Sequence, residues 1–368
     1  MSTPAITVLM TVYNGGDYLK AAAQSILRQT FDDFEFLIVN DCSRDHSVET
    51  IASLNDPRIR LINNDMNLGQ TRSLNKGLLS AKGRYIARMD ADDVAFPTWL
   101  ERTFAFLQAQ PNMAAASCKA LVIDGANKVQ KMLNTPDCYE DMVLRSLFAT
   151  PLNHVGSLYK TDVITSFGGY EETFKIAADY ELWSKLIRAK IRLAAVPEVL
   201  VAIRFHEHSI SVNERGRADV SEISEVMARN FKSLVGFNVA REQIFLLWKM
   251  NYAPETLNPQ EFRAVLALLG NAYERIKPEF AIPAAAIKSF REAQLKVFYA
   301  KRAFSEIEKG NLDQLRALTR DYRKSHGWTN IFSLLWLASW LGRPIIRIIP
   351  GLYQLWSARR VKYQLQKT

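Results

Sequence analysis

Asp90, Asp92 and Asp93 stand together in Met89-Asp90-Ala91-Asp92-Asp93, directly after a short apolar run. In extended chain, residues two apart project to one side, so Asp90 and Asp92 can approach one cation or one ribose. Carboxylate oxygens suit hard Mg²⁺ or Mn²⁺, above all where substrate phosphates complete the coordination shell. An isolated triplet of this kind is equally what a solvated turn contains, so the elements around it decide its meaning.

Those elements alternate. Ile6 to Val12 is a β-branched strand that stops at Asn14-Gly15-Gly16, and a helix is expected over Asp17 to Gln29. Phe34 to Val39 forms a second strand ending at Asn40-Asp41-Cys42-Ser43. A helix from Ser47 to Leu54, a strand at Ile59 to Ile62, a helix from Gly69 to Leu79 and a strand at Tyr85 to Met89 follow. This alternation predicts βαβ units and a mainly parallel sheet. Ligands of such sheets bind beyond the carboxyl ends of the strands. The polar segments after the first, second and fourth strands all fall at that edge, which favours the ligand reading of the acidic cluster. From Pro97 to about Phe205 the signals are mixed, with helices near Trp99 to Gln110, Glu140 to Phe148 and Tyr180 to Ala189, and a strand near Ala114 to Ile123. Beyond about Asp219 the pattern is helical, with a soft boundary between Arg215 and Ser221.

Five segments, in order, resemble the family 2 inverting glycosyltransferases of GT-A fold, over roughly Ile6 to Ser211. They are Thr11-Val12-Tyr13-Asn14, Val39-Asn40-Asp41-Cys42-Ser43, Asn67 to Asn75, Asp90-Ala91-Asp92-Asp93 and Ala178-Asp179-Tyr180-Glu181-Leu182-Trp183. The resemblance implies a GT-A nucleotide-sugar-binding α/β domain with a mainly parallel twisted sheet, followed by an α-helical C-terminal region. It implies roles for matching positions. Thr11 and Tyr13 would contact the donor base, Tyr13 by stacking on uracil. Asp41 would accept a hydrogen bond from the base, and Arg72 would contact base or pyrophosphate. Asp90 would hold the ribose, and Asp92 an Mn²⁺ or Mg²⁺ ion bridging two phosphates. Asp179 would deprotonate the acceptor hydroxyl; the competing role is an N-cap for the helix near Tyr180, and Glu181 is the neighbouring carboxylate.

Two segments depart from the family pattern. Asn40 replaces a common Asp, and Cys42 lies within a variant of Asp-Asp-Gly-Ser. The Gln-x-x-Arg-Trp segment of processive members is absent; Ile203 to Ser211 is similar instead to the Arg-x-His segment of non-processive bacterial members. His206 there could meet the metal or pyrophosphate, or be a polar surface or core residue. His154 and Trp183 are candidates for the acceptor pocket. The implied activity is hexosyl or N-acetylhexosaminyl transfer from a UDP-sugar to a bacterial surface glycan, free or lipid-linked. The alternatives are a soluble transferase acting on protein or a teichoic-acid-like polymer, and a non-catalytic nucleotide-sugar-binding scaffold.

The charge pattern adds a location. The chain has 368 residues and a formal charge of +9, and its last 47 residues hold eight Lys and Arg and no acid. A nearly neutral body with a basic tail argues against a nucleic-acid groove and for one local anionic partner. Ile331 to Leu341 is apolar at nine of 11 positions. As a helix it would extend roughly 16 Å, about half a bilayer core, before Gly342-Arg343-Pro344. Aromatic and aliphatic residues bordered by cations predict attachment to an anionic leaflet, at the cytoplasmic face of the cell membrane. Packing on the catalytic domain or on another subunit is the competing role. Three scattered cysteines, Cys42, Cys118 and Cys138, exclude a disulfide framework, and no secretory signal is legible at the N-terminus. The expected division is a catalytic domain over 1–218, a helical region over 219–326 and a basic apolar tail over 327–368.

Overall fold

The computed structural model describes residues 3–133, 135–207, 209, 220–308 and 311–326. The expected tail, and most of the expected domain boundary, lie outside the described residues.

In chain order the first half comprises β1 (Ile6–Val12), α1 (Leu19–Leu27), β2 (Phe34–Asn40), α2 (Ser47–Ser53), β3 (Ile59–Asn63), α3 (Gln70–Ser80) and β4 (Tyr85–Arg88). All seven residues of β1 are buried, as a strand covered on both faces requires. It pairs in parallel with β2, from Ile6 opposite Phe34 to Val12 opposite Asn40, and with β4, from Ile6 opposite Tyr85 to Leu9 opposite Arg88. This register brings the segments after β1, β2 and β4 to one edge of the sheet. Gly77 lets α3 settle on β1, since a Cβ there would lie 2.3 Å from a methyl of Leu9.

The second half comprises β5 (Val94–Ala95), α4 (Trp99–Ala109), β6 (Met113–Asp124), β7 (Val129–Leu133), α5 (Tyr139–Arg145), β8 (Leu158–Lys160), α6 (Thr161–Ser166), α7 (Ala178–Arg188) and β9 (Arg192–Phe205). The sheet order is β3-β2-β1-β4-β8-β6-β9-β5, with β7 on β6. The parallel arrangement expected from the alternation is confined to β3-β2-β1-β4 and the β6–β9 pair; β8, β5 and β7 run antiparallel to their neighbours. The 14-residue β9 is hidden in the sequence because it contains Pro197, which cannot donate to the ladder. The pairing accommodates it by a shift: Cys118 faces Val196 but Lys119 faces Val199. Where β9 meets β5, Ala202 opposes Val94, which carries the Arg204–His206 segment to the acidic cluster.

This first compact unit extends to Val226, within α8 (Val220–Asn230). The second begins at Met227 and is helical: α9 (Arg241–Tyr252), α10 (Pro259–Glu274), α11 (Ala284–Glu308) and α12 (Leu312–His326). Its interior includes edge-to-face contacts of Tyr299 with Phe262 and Tyr322 at 5.0 and 5.1 Å. No helix among the described residues is long and apolar enough to cross a membrane.

The loop after β2 carries a strained residue. Cys42 has φ +62°, a left-handed conformation that side chains disfavour and glycine adopts freely. The family pattern's glycine in this segment thus has a backbone reason. Cys42→Gly is expected to stabilise the protein by about 0.5 kcal/mol, the released strain exceeding the added freedom of the unfolded chain. A urea titration monitored by circular dichroism checks this; an unchanged or lower midpoint contradicts it.

Candidate active site

The loops after β1 and β2 are tied into one rim. Asn14 N donates to Ser43 Oγ at 3.0 Å and Arg44 N to Asn14 Oδ1 at 2.8 Å. Thr11 is buried at the end of β1, while Tyr13, just beyond it, is 49% exposed. Asp41 is buried and organises the start of α3. Its Oδ1 accepts from Asn64 Nδ2 at 2.7 Å and Leu68 N at 2.8 Å, and its Oδ2 from Gly69 N at 2.9 Å. Gly69, at φ +85°, makes the turn that aims both amides at this carboxylate. Asn40 needs its amide rather than a carboxylate, because Nδ2 donates to Asn63 Oδ1 while Oδ1 accepts from Ser43 N. Arg72 is exposed on α3 and faces Glu172 at 3.2 Å.

Beyond β4, Asp90 accepts from Gln70 Nε2 at 3.1 Å and pairs with Arg88. Arg88 is wholly buried; it also bonds the Met89 carbonyl, and its Nε has no partner among the described residues. Arg204 builds the opposite wall. Its amide donates to Asp93 Oδ1 at 2.6 Å, its Nε to the Asp92 carbonyl at 2.9 Å, and its guanidinium lies 4.5 Å from the Tyr18 ring centre. Burial, followed by the charges of Asp92 and Asp90, pushes the Asp93 carboxyl well above the usual range. Asp92 keeps its carboxylate toward the open edge, where Oδ2 lies 3.0 Å from His206 Nε2. Its carboxyl is pushed up by burial and then by Asp90, with His206 opposing. The His206 ring also packs 4.9 Å from Tyr18.

Asp179 occupies the first turn of α7, but the N-cap position is Ala177. Asp179 Oδ1 accepts from Tyr180 N at 2.7 Å, and its Oδ2 makes no hydrogen bond among the described residues. Loss of hydration pushes this carboxyl up to about 6; the charge of Asp90 adds to the rise and that of Arg88 opposes it. A base poised near neutrality with one free oxygen is suited to accepting a proton. Glu181 cannot serve in the same way, because it is buried and its Oε1 meets Arg188 Nη2 at 2.5 Å. Behind Asp179, His154 Nε2 lies 2.7 Å from Tyr170 Oη, which is 3.1 Å from Tyr159 Oη. Burial, with Arg88 adding to it, lowers the His154 pKa well below its usual value. Trp183 has no exposed surface and packs 6.4 Å from the His154 ring.

Asp90, Arg88, Tyr170 and Asp179 therefore share one electrostatic neighbourhood, joined to Asp92 and His206 through the acidic loop. Arg88, Gln70, Arg204 and Tyr18 are the members that reading the sequence missed. Gln70 lies within Asn67 to Asn75 and Arg204 is the Arg of the Arg-x-His segment, so both stood in segments that the resemblance marked, whereas Arg88 and Tyr18 did not.

The profile of "Glycosyl transferase family 2" matches residues 7–166. An uncharacterized glycosyltransferase of Haemophilus influenzae is 30% identical over 219 residues, covering 56% of this chain and 68% of that protein. The chain belongs to glycosyltransferase family 2. The amylovoran biosynthesis glycosyltransferase AmsE of Erwinia amylovora is 25% identical over 202 residues, 54% of this chain and 75% of AmsE. Two solved structures share the GT-A fold of this transferase. One is S. aureus TarS 1-349 in complex with UDP-GlcNAc, with TM-score 0.53, 17% identity, and coverage of 87% of this chain and 92% of that one. The other is the mannosyltransferase PcManGT from Pyrobaculum calidifontis in complex with GDP-Man and Mn²⁺, with TM-score 0.51, 17% identity, and coverage of 83% and 84%. This family 2 enzyme is a glycosyltransferase.

Among the described residues of the transferase, no three His, Cys, Asp or Glu side chains converge on one point. Asp92 and His206 nevertheless fit a divalent ion as a two-ligand site. Their donor atoms lie together at the open edge, and the Asp92 carboxylate stands beside the like charge of Asp90, which a cation would offset. Substrate phosphate oxygens and water would fill the remaining positions of such a shell.

Proposed function

We propose that this enzyme transfers a single sugar from a UDP-sugar to a hydroxyl of a glycan acceptor, with inversion and with Mn²⁺ or Mg²⁺ bound. The observation that carries this reading is Asp179, whose free oxygen and raised pKa suit it to deprotonate an incoming hydroxyl. Asp92 and His206 would hold the metal, which supplies charge neutralisation on the departing diphosphate. Tyr13 would stack on the base, and Thr11 would contact it from the end of β1. The Asp41 carboxylate would accept from the base through the lone pair that Gly69 leaves on Oδ2. Asp90 would accept from the ribose, and Arg72 would reach base or pyrophosphate by leaving Glu172. His154 would line the acceptor side, with Trp183 backing it.

The relative in amylovoran biosynthesis supports a polysaccharide acceptor, assembled in solution or on a lipid carrier. In this reading catalysis belongs to 1–218, followed by a helical region over 219–326. The tail over 327–368 would hold the enzyme on the anionic cytoplasmic face of the membrane, where a lipid-borne acceptor is presented. Deleting 327–368 is expected to release the protein from anionic vesicles in a flotation assay; a truncated protein that still floats contradicts the anchor. The donor is tested by a panel of UDP- and GDP-sugars with Mn²⁺ or Mg²⁺, reading nucleotide release. Turnover of a UDP-sugar is expected, and turnover of GDP-sugars alone would overturn the assignment of the base.

A further inference from the structure

The three residues that lead into α7, Lys175 to Ala177, present consecutive backbone amides, and the cap residue, Ala177, has no side-chain acceptor. The partner comes from 45 to 47 residues downstream. Glu222, in the first turn of α8, accepts from Lys175 N at 3.0 and 2.9 Å through its two oxygens. Its Oε2 also accepts from Ile176 N at 2.8 Å and Ala177 N at 3.0 Å. The same turn is held from the other side, where Thr71 Oγ1 of α3 donates to the Phe174 carbonyl at 2.8 Å. Three consecutive amides on one carboxylate make a charge-assisted clamp immediately before the helix that carries Asp179.

We propose that Glu222 is a positioning residue for catalysis: it clamps Lys175–Ala177 so that Asp179 stays aimed at the acceptor hydroxyl. With Glu222 holding the amides of Lys175 to Ala177, the Asp179 carboxylate engages its own helix through Oδ1, on the Tyr180 amide. One oxygen is left for the proton. This role rests on Asp179 being the base, as proposed above. Without the clamp, α7 frays at its first turn, Asp179 regains water, and the freed amides become local donors. Each of these changes favours the ionised carboxylate. The groups that face Asp179 in setting its titration are Asp90 and Arg88 from the β4 end, Tyr170 from the loop before α7, and the Tyr180 amide.

The test is Glu222→Gln in the full chain, assayed with the nucleotide sugar that the wild type turns over. The amide keeps the volume but presents one acceptor and one donor group to three amides that need acceptors. We expect kcat to fall about 10- to 100-fold, the range of misplaced catalytic geometry, with donor KM within about twofold. The acidic midpoint of kcat should move below that of the wild type. A residue serving stability alone would lower the melting temperature and leave kcat and its midpoint unchanged, and that result overturns the proposal. If the variant does not fold, hydrogen exchange on the wild type decides. Amides of Ile176 and Ala177 as protected as those of α7 support the clamp, and exchange at open-loop rates refutes it. Asp179→Asn run in parallel separates the two readings. Full activity there removes the base itself, whereas an inactive Asp179→Asn beside a normal Glu222→Gln removes only the clamp.

Discussion

Asp179→Asn is expected to lower turnover about 10²- to 10⁴-fold, the usual contribution of a positioned base, with nucleotide affinity within about twofold of wild type. The amide keeps the shape of the side chain and can still accept from the Tyr180 amide at 2.7 Å, so the fold has no reason to change. What is lost is the acceptor for the proton. The wild-type pH profile carries the same signature. Burial lifts this carboxyl to about 6, so below that pH the base is protonated and kcat falls, whereas above it the carboxylate is available. The acidic limb should therefore have its midpoint near 6 in the wild type and vanish from the residual activity of the variant. Stopped assays across pH 4.5 to 8 with saturating donor measure both. Retained turnover in Asp179→Asn would transfer the role to another group, and the commitment of Glu181 to Arg188 leaves that neighbour unable to take it.

The second large effect concerns Asp92. Asp92→Asn should weaken donor binding in Mn²⁺ at least about 100-fold, because it removes the charged member of the proposed pair of ligands, Asp92 and His206. Stability should move the other way. Folding raises the Asp92 pKa through burial and the charge of Asp90, so its ionisation at neutral pH opposes folding. A neutral amide removes that opposition, and the metal-free melting temperature should rise slightly. Titration calorimetry with nucleotide and Mn²⁺, alongside differential scanning fluorimetry without metal, reads both arms. Lost binding accompanied by a large loss of stability would instead mark Asp92 as a structural residue.

The polar edge of the sheet was legible because its residues follow a simple rule: polar segments after buried parallel strands meet at the strand ends. Asp41, Asp90 and Asp92 each follow such a strand, and the register of β1 with β2 and β4 brings them to one edge. What could not be read was anything that depends on long-range pairing. Pro197 concealed β9, and with it the route by which Arg204 reaches Asp92 and Asp93. Arg88 looked like one residue in an apolar strand, since no local pattern reveals that its guanidinium is buried beneath the acidic loop. The choice between base and N-cap for Asp179 was open for the same reason. In the structure the N-cap position is Ala177, and the carboxylate on the amides before α7 is that of Glu222, which lies beyond β9 and belongs to no motif around α7.

The central claim is a single displacement in which the hydroxyl freed by Asp179 attacks the anomeric carbon as the nucleotide departs. The anomeric configuration of the first-formed product, followed by proton NMR during turnover of the preferred nucleotide sugar, tests this most directly. The account predicts a product opposite in configuration to the donor. A product that retains the donor's configuration would require a second nucleophile and would contradict it.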